Sequence, residues 1–180
     1  MKKFIIYRHG EYDDRQELTA QSAQEIFART LLIKQQIGCA GMVLTSPVCR
    51  AEQTARVIAL AMNNARIETE ALLAEHMSDH PREGRDRLIK LAGGQKCDII
   101  AVVSHRPNIS RMFMVGLNPG MEIIFEAESW GEIFENLGGN LIARSQTPPD
   151  ESLLHRYFNP VCSEEELQQL RRLDFLAPQL

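Results

Sequence analysis

Short, continuous apolar runs alternate along the chain with longer segments in which apolar residues recur every three or four positions. "KFIIY" from Lys3, "MVLTS" from Met42 and "IIAVVS" from Ile99 read as strands buried on both faces, and each stops at polar residues. Between them Ala23, Ile26, Phe27, Thr30, Leu31, Lys34 and Ile37 fall at helical spacing, as do Ala51, Thr54, Ala55, Ile58 and Met62. Strand then helix, repeated, predicts an α/β fold with an open, mostly parallel sheet and helices on both faces.

Local punctuation refines the picture. Ser46 suits a helix N-cap with Pro47 at the first helical position, and Asn108 opens a helical segment that Gly116 can close. "SWGEIFEN" and "LIARSQ", flanking Leu137-Gly138-Gly139-Asn140, predict a hairpin that puts an antiparallel strand pair at one side of the sheet. "TPPDES" then reads as a turn or linker. Ser163 followed by Glu164, Glu165 and Glu166 forms a capping box for a last helix, whose Leu167, Leu170 and Leu173 are expected to pack on the domain, with a partner surface as the alternative.

Composition narrows the class. A chain of 180 residues that is 44% hydrophobic suits one globular domain spanning residues 1–180. A net charge of −4 argues against nucleic acid and anionic membranes as partners, since both attract a basic field. No apolar run is long enough to span a bilayer, and the apolar start "FIIY" is too short for a signal segment, so a cytoplasmic location is expected. Cys39, Cys49, Cys97 and Cys162 are widely spaced and read as reduced thiols, each a small packing residue.

Ligands of open parallel sheets bind beyond the carboxyl ends of the strands. The residues there are Arg8 and His9, Ser46 and Arg50, and Ser104 and His105. Two arginines and two histidines make a local anion site in an acidic protein, because the fixed fork of a guanidinium matches phosphate oxygens. Arg50 adds the free N–H groups of a helix's first turn. The site is suited to a phosphoryl group.

"RHGE" from Arg8, "SPVCRAEQTA" from Ser46 and "VVSHRPNI" from Val102 resemble, in order and context, the three signatures of the histidine phosphatase (phosphoglycerate mutase-like) superfamily. The resemblance implies that His9 is the nucleophile and is transiently phosphorylated, while Arg8, Arg50 and His105 hold the equatorial oxygens. Flanking guanidinium groups are expected to keep His9 neutral, and its second ring nitrogen to donate to a backbone carbonyl. Gly10 lets the chain turn so that His9 faces the substrate, and Arg15 and Ser104 join the substrate site. Glu75, in "LLAEHMSDHP", matches the family's acid in an L-x-E loop, with Asp79 and Glu83 as alternatives.

Some positions depart from the family pattern. Arg15 stands where the family often has a phosphate-binding asparagine, and Ser22 replaces a frequent glycine, a change expected to affect packing. Asp13 and Asp14 would repel a phosphate dianion if they faced it, and pairing with Arg15 or reading a cationic substrate group are the alternatives. His76 and His80 lack a matching third region for a metal site, and arginines supply the charge that a metal would, so no cofactor is expected. Cys49 is expected to be an inert, buried thiol despite its cationic neighbour. The short chain leaves no room for long capping insertions. It therefore suggests an open pocket and a metal-independent phosphatase acting on a phosphoprotein (phosphohistidine) or a phosphorylated small molecule. A phosphoglycerate-type mutase and a non-catalytic phosphate-binding module are the competing readings.

Overall fold

The computed structural model describes residues 1–135, 156–157 and 159–176. Phe4, Ile5, Ile6 and Tyr7 are completely buried. Because side chains alternate in direction along a strand, four such residues in a row require cover on both faces. The strand that carries them, β1 (Lys2–Arg8), lies within a sheet with β2 (Met42–Thr45), β3 (Arg66–Thr69), β4 (Ile99–Ser104) and β5 (Glu122–Ala127), in the order β3-β2-β4-β1-β5. The first four strands in that order are parallel to their neighbours, and β5 runs antiparallel to β1, with Tyr7 opposite Glu122. The expected open, mostly parallel α/β sheet is the one found.

The helices are α1 (Ala20–Ile37), α2 (Cys49–Ala61), α3 (Pro81–Gly93), α4 (Arg106–Phe113), α5 (Trp130–Glu135) and α6 (Glu164–Leu170). Helices α1, α2 and α6 cover the sheet face that presents Ile5, Tyr7, Val43 and Val103. Helices α3, α4 and α5 cover the opposite face, with Phe4, Ile6, Leu44 and Val102. Ser163 and Glu166 close the expected capping box on α6; Leu170 and Leu173 are buried in the core as expected, while Leu167 is only half-buried and lies outside that cluster. Among the described residues, no helix is long and apolar enough to cross a membrane.

Several local expectations are corrected. The antiparallel element at one side of the sheet is β5 rather than a hairpin begun by "SWGEIFEN", because Trp130–Glu135 is helical and buries Trp130 and Ile133 on the core. Residues 136–155, with the second arm of that hairpin and "TPPDES", lie outside the described residues. Helix α2 starts at Cys49 with Val48 as N-cap, since the Ser46 hydroxyl is engaged by the Val48 N–H and by His105. Helix α4 starts at Arg106, directly after β4, and ends at Met114 in the left-handed region, two residues before Gly116. Cys39 and Cys49 are exposed, so core packing does not account for them.

Candidate active site

The carboxyl ends of β1, β2 and β4 are laced together. The His9 N–H donates to the Ser104 carbonyl at 3.1 Å and the Ser46 N–H to the Val103 carbonyl at 3.1 Å. Beyond β1, the Arg8 N–H donates to Met121, and the Gly120 N–H reaches the carbonyls of both Arg8 and His9. Gly120 makes this approach at φ +71, a left-handed conformation that glycine adopts without strain. Its own carbonyl accepts from the buried guanidinium of Arg29 at 3.3 Å.

His9 and His105 meet at the centre, with ring centroids 4.9 Å apart. His9 Nδ1 lies 2.8 Å from the Gly10 carbonyl, and a carbonyl only accepts, so Nδ1 carries the proton. Arg50 Nε donates to His9 Nε2 at 3.2 Å, so that nitrogen presents a lone pair. The same reasoning leaves His105 Nδ1 as acceptor from Arg50 Nη2 at 3.4 Å, and gives its Nε2 proton to the Ser46 hydroxyl at 2.9 Å. Both rings are neutral here. Burial first, then His105, Arg50 and Arg8, push His9 down to about 4, against a raising contribution from the Gly10 carbonyl. Burial, Arg50 and Arg8 push His105 down to about 4 as well. The guanidinium groups were expected to lead this effect; removal from water leads it instead.

Arg50, buried in the first turn of α2, spreads all its donor groups across the site. Besides His9, Nη1 donates to Gln16 Oε1 at 2.8 Å and Nη2 to Glu75 Oε2 at 2.9 Å. Arg8 donates from Nη1 to the Leu117 carbonyl at 3.1 Å, and burial together with Arg106 pushes its guanidinium below the usual value.

Glu75 reaches the site from a loop of two tight turns, Ala71–Leu73 and Glu75–Met77. Three buried side chains hold that loop. Ser104 donates to the Leu73 carbonyl at 2.8 Å, Asn108 donates to the Ala74 carbonyl at 2.8 Å, and Glu70 accepts from the Leu72 N–H at 3.2 Å. Ser104 is thus a brace for the Glu75 loop, which differs from its expected place at the substrate. Glu75 Oε2 lies 3.9 Å from His105 Nδ1, and its side chain is 55% exposed, so it stands at the rim. Asp79 is held instead by Arg111, and Glu83 lies beside His80, both exposed.

The loop after His9 holds the residues that sequence reading missed. Asp13 Oδ1 accepts the N–H groups of Arg15 and Glu17, so this carboxylate builds a turn rather than facing a substrate. The exposed Arg15 contributes only its backbone to that turn, and the next residue, Gln16, at φ +65, sends its carboxamide onto Arg50. Tyr12 lies over the Arg50 guanidinium, 4.7 Å from its carbon to the ring centroid. No periodicity or motif marks either residue. Cys49 is exposed, but partial burial and the carboxylates of Glu17, Glu52 and Asp13 push its thiol up, so Arg50 does not activate it.

Gly10 serves close packing rather than a special turn. A Cβ there would fall 2.4 Å from Ser22 Oγ, 2.5 Å from Leu18 Cδ1 and 2.8 Å from Ile26 Cδ1. Ser22 Oγ accepts the Glu11 N–H at 2.9 Å, so the serine occupies this tight corner usefully. Gly10→Ala is expected to lower stability by about 1–3 kcal/mol through overpacking. Chemical denaturation measures this, and adding Ser22→Gly, which removes the nearest of the clashing atoms, should recover part of the loss.

No family model matches the sequence, and no curated protein matches it either. Solved structures do match. A protein histidine phosphatase SixA complexed with tungstate is 19% identical, with a TM-score of 0.58 over 73% of this chain and 99% of that one. A mycobacterial glucosyl-3-phosphoglycerate phosphatase is 12% identical, with a TM-score of 0.55 over 73% of this chain and 94% of that one. A mutant phosphoserine phosphatase from Entamoeba histolytica, complexed with phosphoserine, is 16% identical, with a TM-score of 0.54 over 70% and 91% of the two chains. The likeness is one of fold.

Proposed function

From the fold of the histidine phosphatase superfamily, we propose that this chain is a metal-independent phosphatase working through a phosphorylated His9, on phosphohistidine in a protein or on a small phosphomonoester. The observation that carries the reading is the state of His9: Nδ1 tied to the Gly10 carbonyl and Nε2 unprotonated, its lone pair engaged by Arg50 Nε until a phosphoryl group takes over that donor. An imidazole attacks only through an unprotonated nitrogen, and this one is already oriented.

In the proposed first step the arriving phosphoryl group displaces Glu75 from Arg50 and the freed carboxylate takes a proton from solvent; Nε2 then forms a bond to phosphorus in line with the leaving group, whose bond to phosphorus breaks and whose atom takes that proton from Glu75. Arg8 and Arg50 hold the equatorial oxygens, where the charge of the transferring group is spread. His105 joins them by taking a proton from solvent on Nδ1, which an arriving dianion favours by opposing the positive field of the arginines. Water then attacks phospho-His9 and gives a proton to Glu75, releasing phosphate and restoring the free imidazole. An imidazole leaving group demands less of the acid than an alkoxide does, which suits a carboxylate at the rim. A cytoplasmic location belongs to this proposal.

The test is a rapid acid or base quench during turnover of a radiolabelled substrate. Label that is lost in acid and kept in base supports a phosphohistidine; turnover with no covalent label at any time sinks the mechanism. The pH profile gives an independent check. With His9 held near 4, its nucleophilic form is full above about pH 5 and is lost as the pH falls through the folded value. The acid limb of kcat/KM, which reports the free enzyme, is therefore expected near pH 4. A limb near 6.5, the value of an exposed histidine, that persists after correction for the substrate phosphate's own ionisation at about 6 would show that burial does not control the nucleophile.

A further inference from the structure

Tyr12 takes no part in the steps above, yet it touches the reacting groups. Its ring lies on the Arg50 guanidinium at 4.7 Å, and its centroid is 5.6 Å from that of His9, with the planes inclined by 57°. The residue is nevertheless 41% exposed. The other large exposed apolar residues among those described are Met1, Ile67, Met114 and Val161, none of which contacts the site. The loop cannot carry the ring away easily. Tyr12 bridges to Leu18, the Leu18 N–H donates to Gln53 Oε1 at 2.6 Å, and the Thr19 N–H donates to the Glu11 carbonyl at 3.0 Å.

A phosphorus atom poised for attack stands about 3–3.5 Å from His9 Nε2, and the leaving group is attached just beyond it. A fixed aromatic ring this close to the nucleophile, with much of its surface still bare, offers a flat group an offset-stacked or edge contact that a flexible alkyl chain matches poorly. We propose that Tyr12 is a specificity-determining residue: its ring is a platform for the leaving group, and the preferred substrates carry the phosphoryl group on a planar unsaturated ring, imidazole or aryl, rather than on an alkyl chain. The inference rests on the phosphatase reading and narrows it to a substrate class.

The experiment compares kcat/KM for phosphoimidazole, p-nitrophenyl phosphate and glycerol phosphate in the unaltered protein and in Tyr12→Phe, Tyr12→Leu and Tyr12→Ala. Comparing each substrate with itself across variants removes intrinsic leaving-group ability. Tyr12→Ala and Tyr12→Leu are expected to lose about 5- to 10-fold more on a ring-bearing substrate than on glycerol phosphate, the size of one aromatic contact. Tyr12→Phe keeps the ring and should stay within about 2-fold of the parent on all three. A selective loss on phosphoimidazole alone assigns the platform to phosphohistidine, and one on p-nitrophenyl phosphate alone to aryl phosphates. Equal losses on all three substrates would mean that the ring only braces Arg50 and would overturn the proposal, as would a Tyr12→Phe defect matching that of Tyr12→Ala. Failure of the underlying phosphatase reading looks different: the unaltered protein would turn over none of the three.

Discussion

His9→Ala abolishes turnover, with an expected loss on the order of 10⁴-fold or more, because the group that bonds to phosphorus is gone while the binding groups remain. Three measurements define the result. Steady-state kinetics should show the loss in kcat, quench experiments should show no covalent phosphate, and titration calorimetry should show phosphate still bound, since Arg8, Arg50 and His105 are untouched. The fold is expected to survive, with stability within about 1–2 kcal/mol of the parent. His9 makes two polar contacts, to the Gly10 carbonyl and from Arg50, and a net hydrogen bond contributes about 1 kcal/mol. Turnover that persisted in His9→Ala would refute the nucleophile assignment outright.

Arg50→Lys is expected to be nearly as damaging, although it keeps the charge. The guanidinium donates at once to His9, Gln16 and Glu75, and a lysine ammonium is a point charge on a flexible stem that cannot reproduce a planar fork. Losing one preorganised donor to transition-state charge costs about 10²–10³-fold in kcat, and here His9 and Glu75 also lose the partner that aims them. Arg50→Ala should cost at least as much and should weaken phosphate binding as well. A lysine variant with near-normal kcat would show that Arg50 acts only as a distant charge.

The parts of this site legible in the sequence are those set by strand ends. Buried strands such as "IIAVVS" announce themselves by apolar runs, and the polar residues where such runs stop, Arg8, His9, Arg50 and His105, are candidates from sequence alone that the fold brings close together. Strand β3 was not, because an edge strand made of Arg66, Ile67, Glu68 and Thr69 is mostly exposed and shows no apolar run. Strand β5 escaped for another reason: the run around Ile123 to Phe125 has the same look as any short buried segment, and only its pairing with β1 fixes its direction. Tyr12 and Gln16 depend on a turn tied by Asp13 and anchored through Gln53, contacts that spacing along the chain does not encode. Ser104 was misplaced because adjacency to His105 says nothing of direction: successive residues of extended chain point to opposite sides, and its hydroxyl turns to Leu73.

The self-ligated state of Arg50 has a kinetic meaning. In the free protein its fork is already occupied by the carboxylate of Glu75 and the carboxamide of Gln16, two oxygens standing where an anion would sit. If the proposed function holds, an incoming phosphoryl group displaces these tethered competitors, and they return without diffusion when it leaves. On the proposed phosphatase reading, inhibition by inorganic phosphate is therefore expected to be weak.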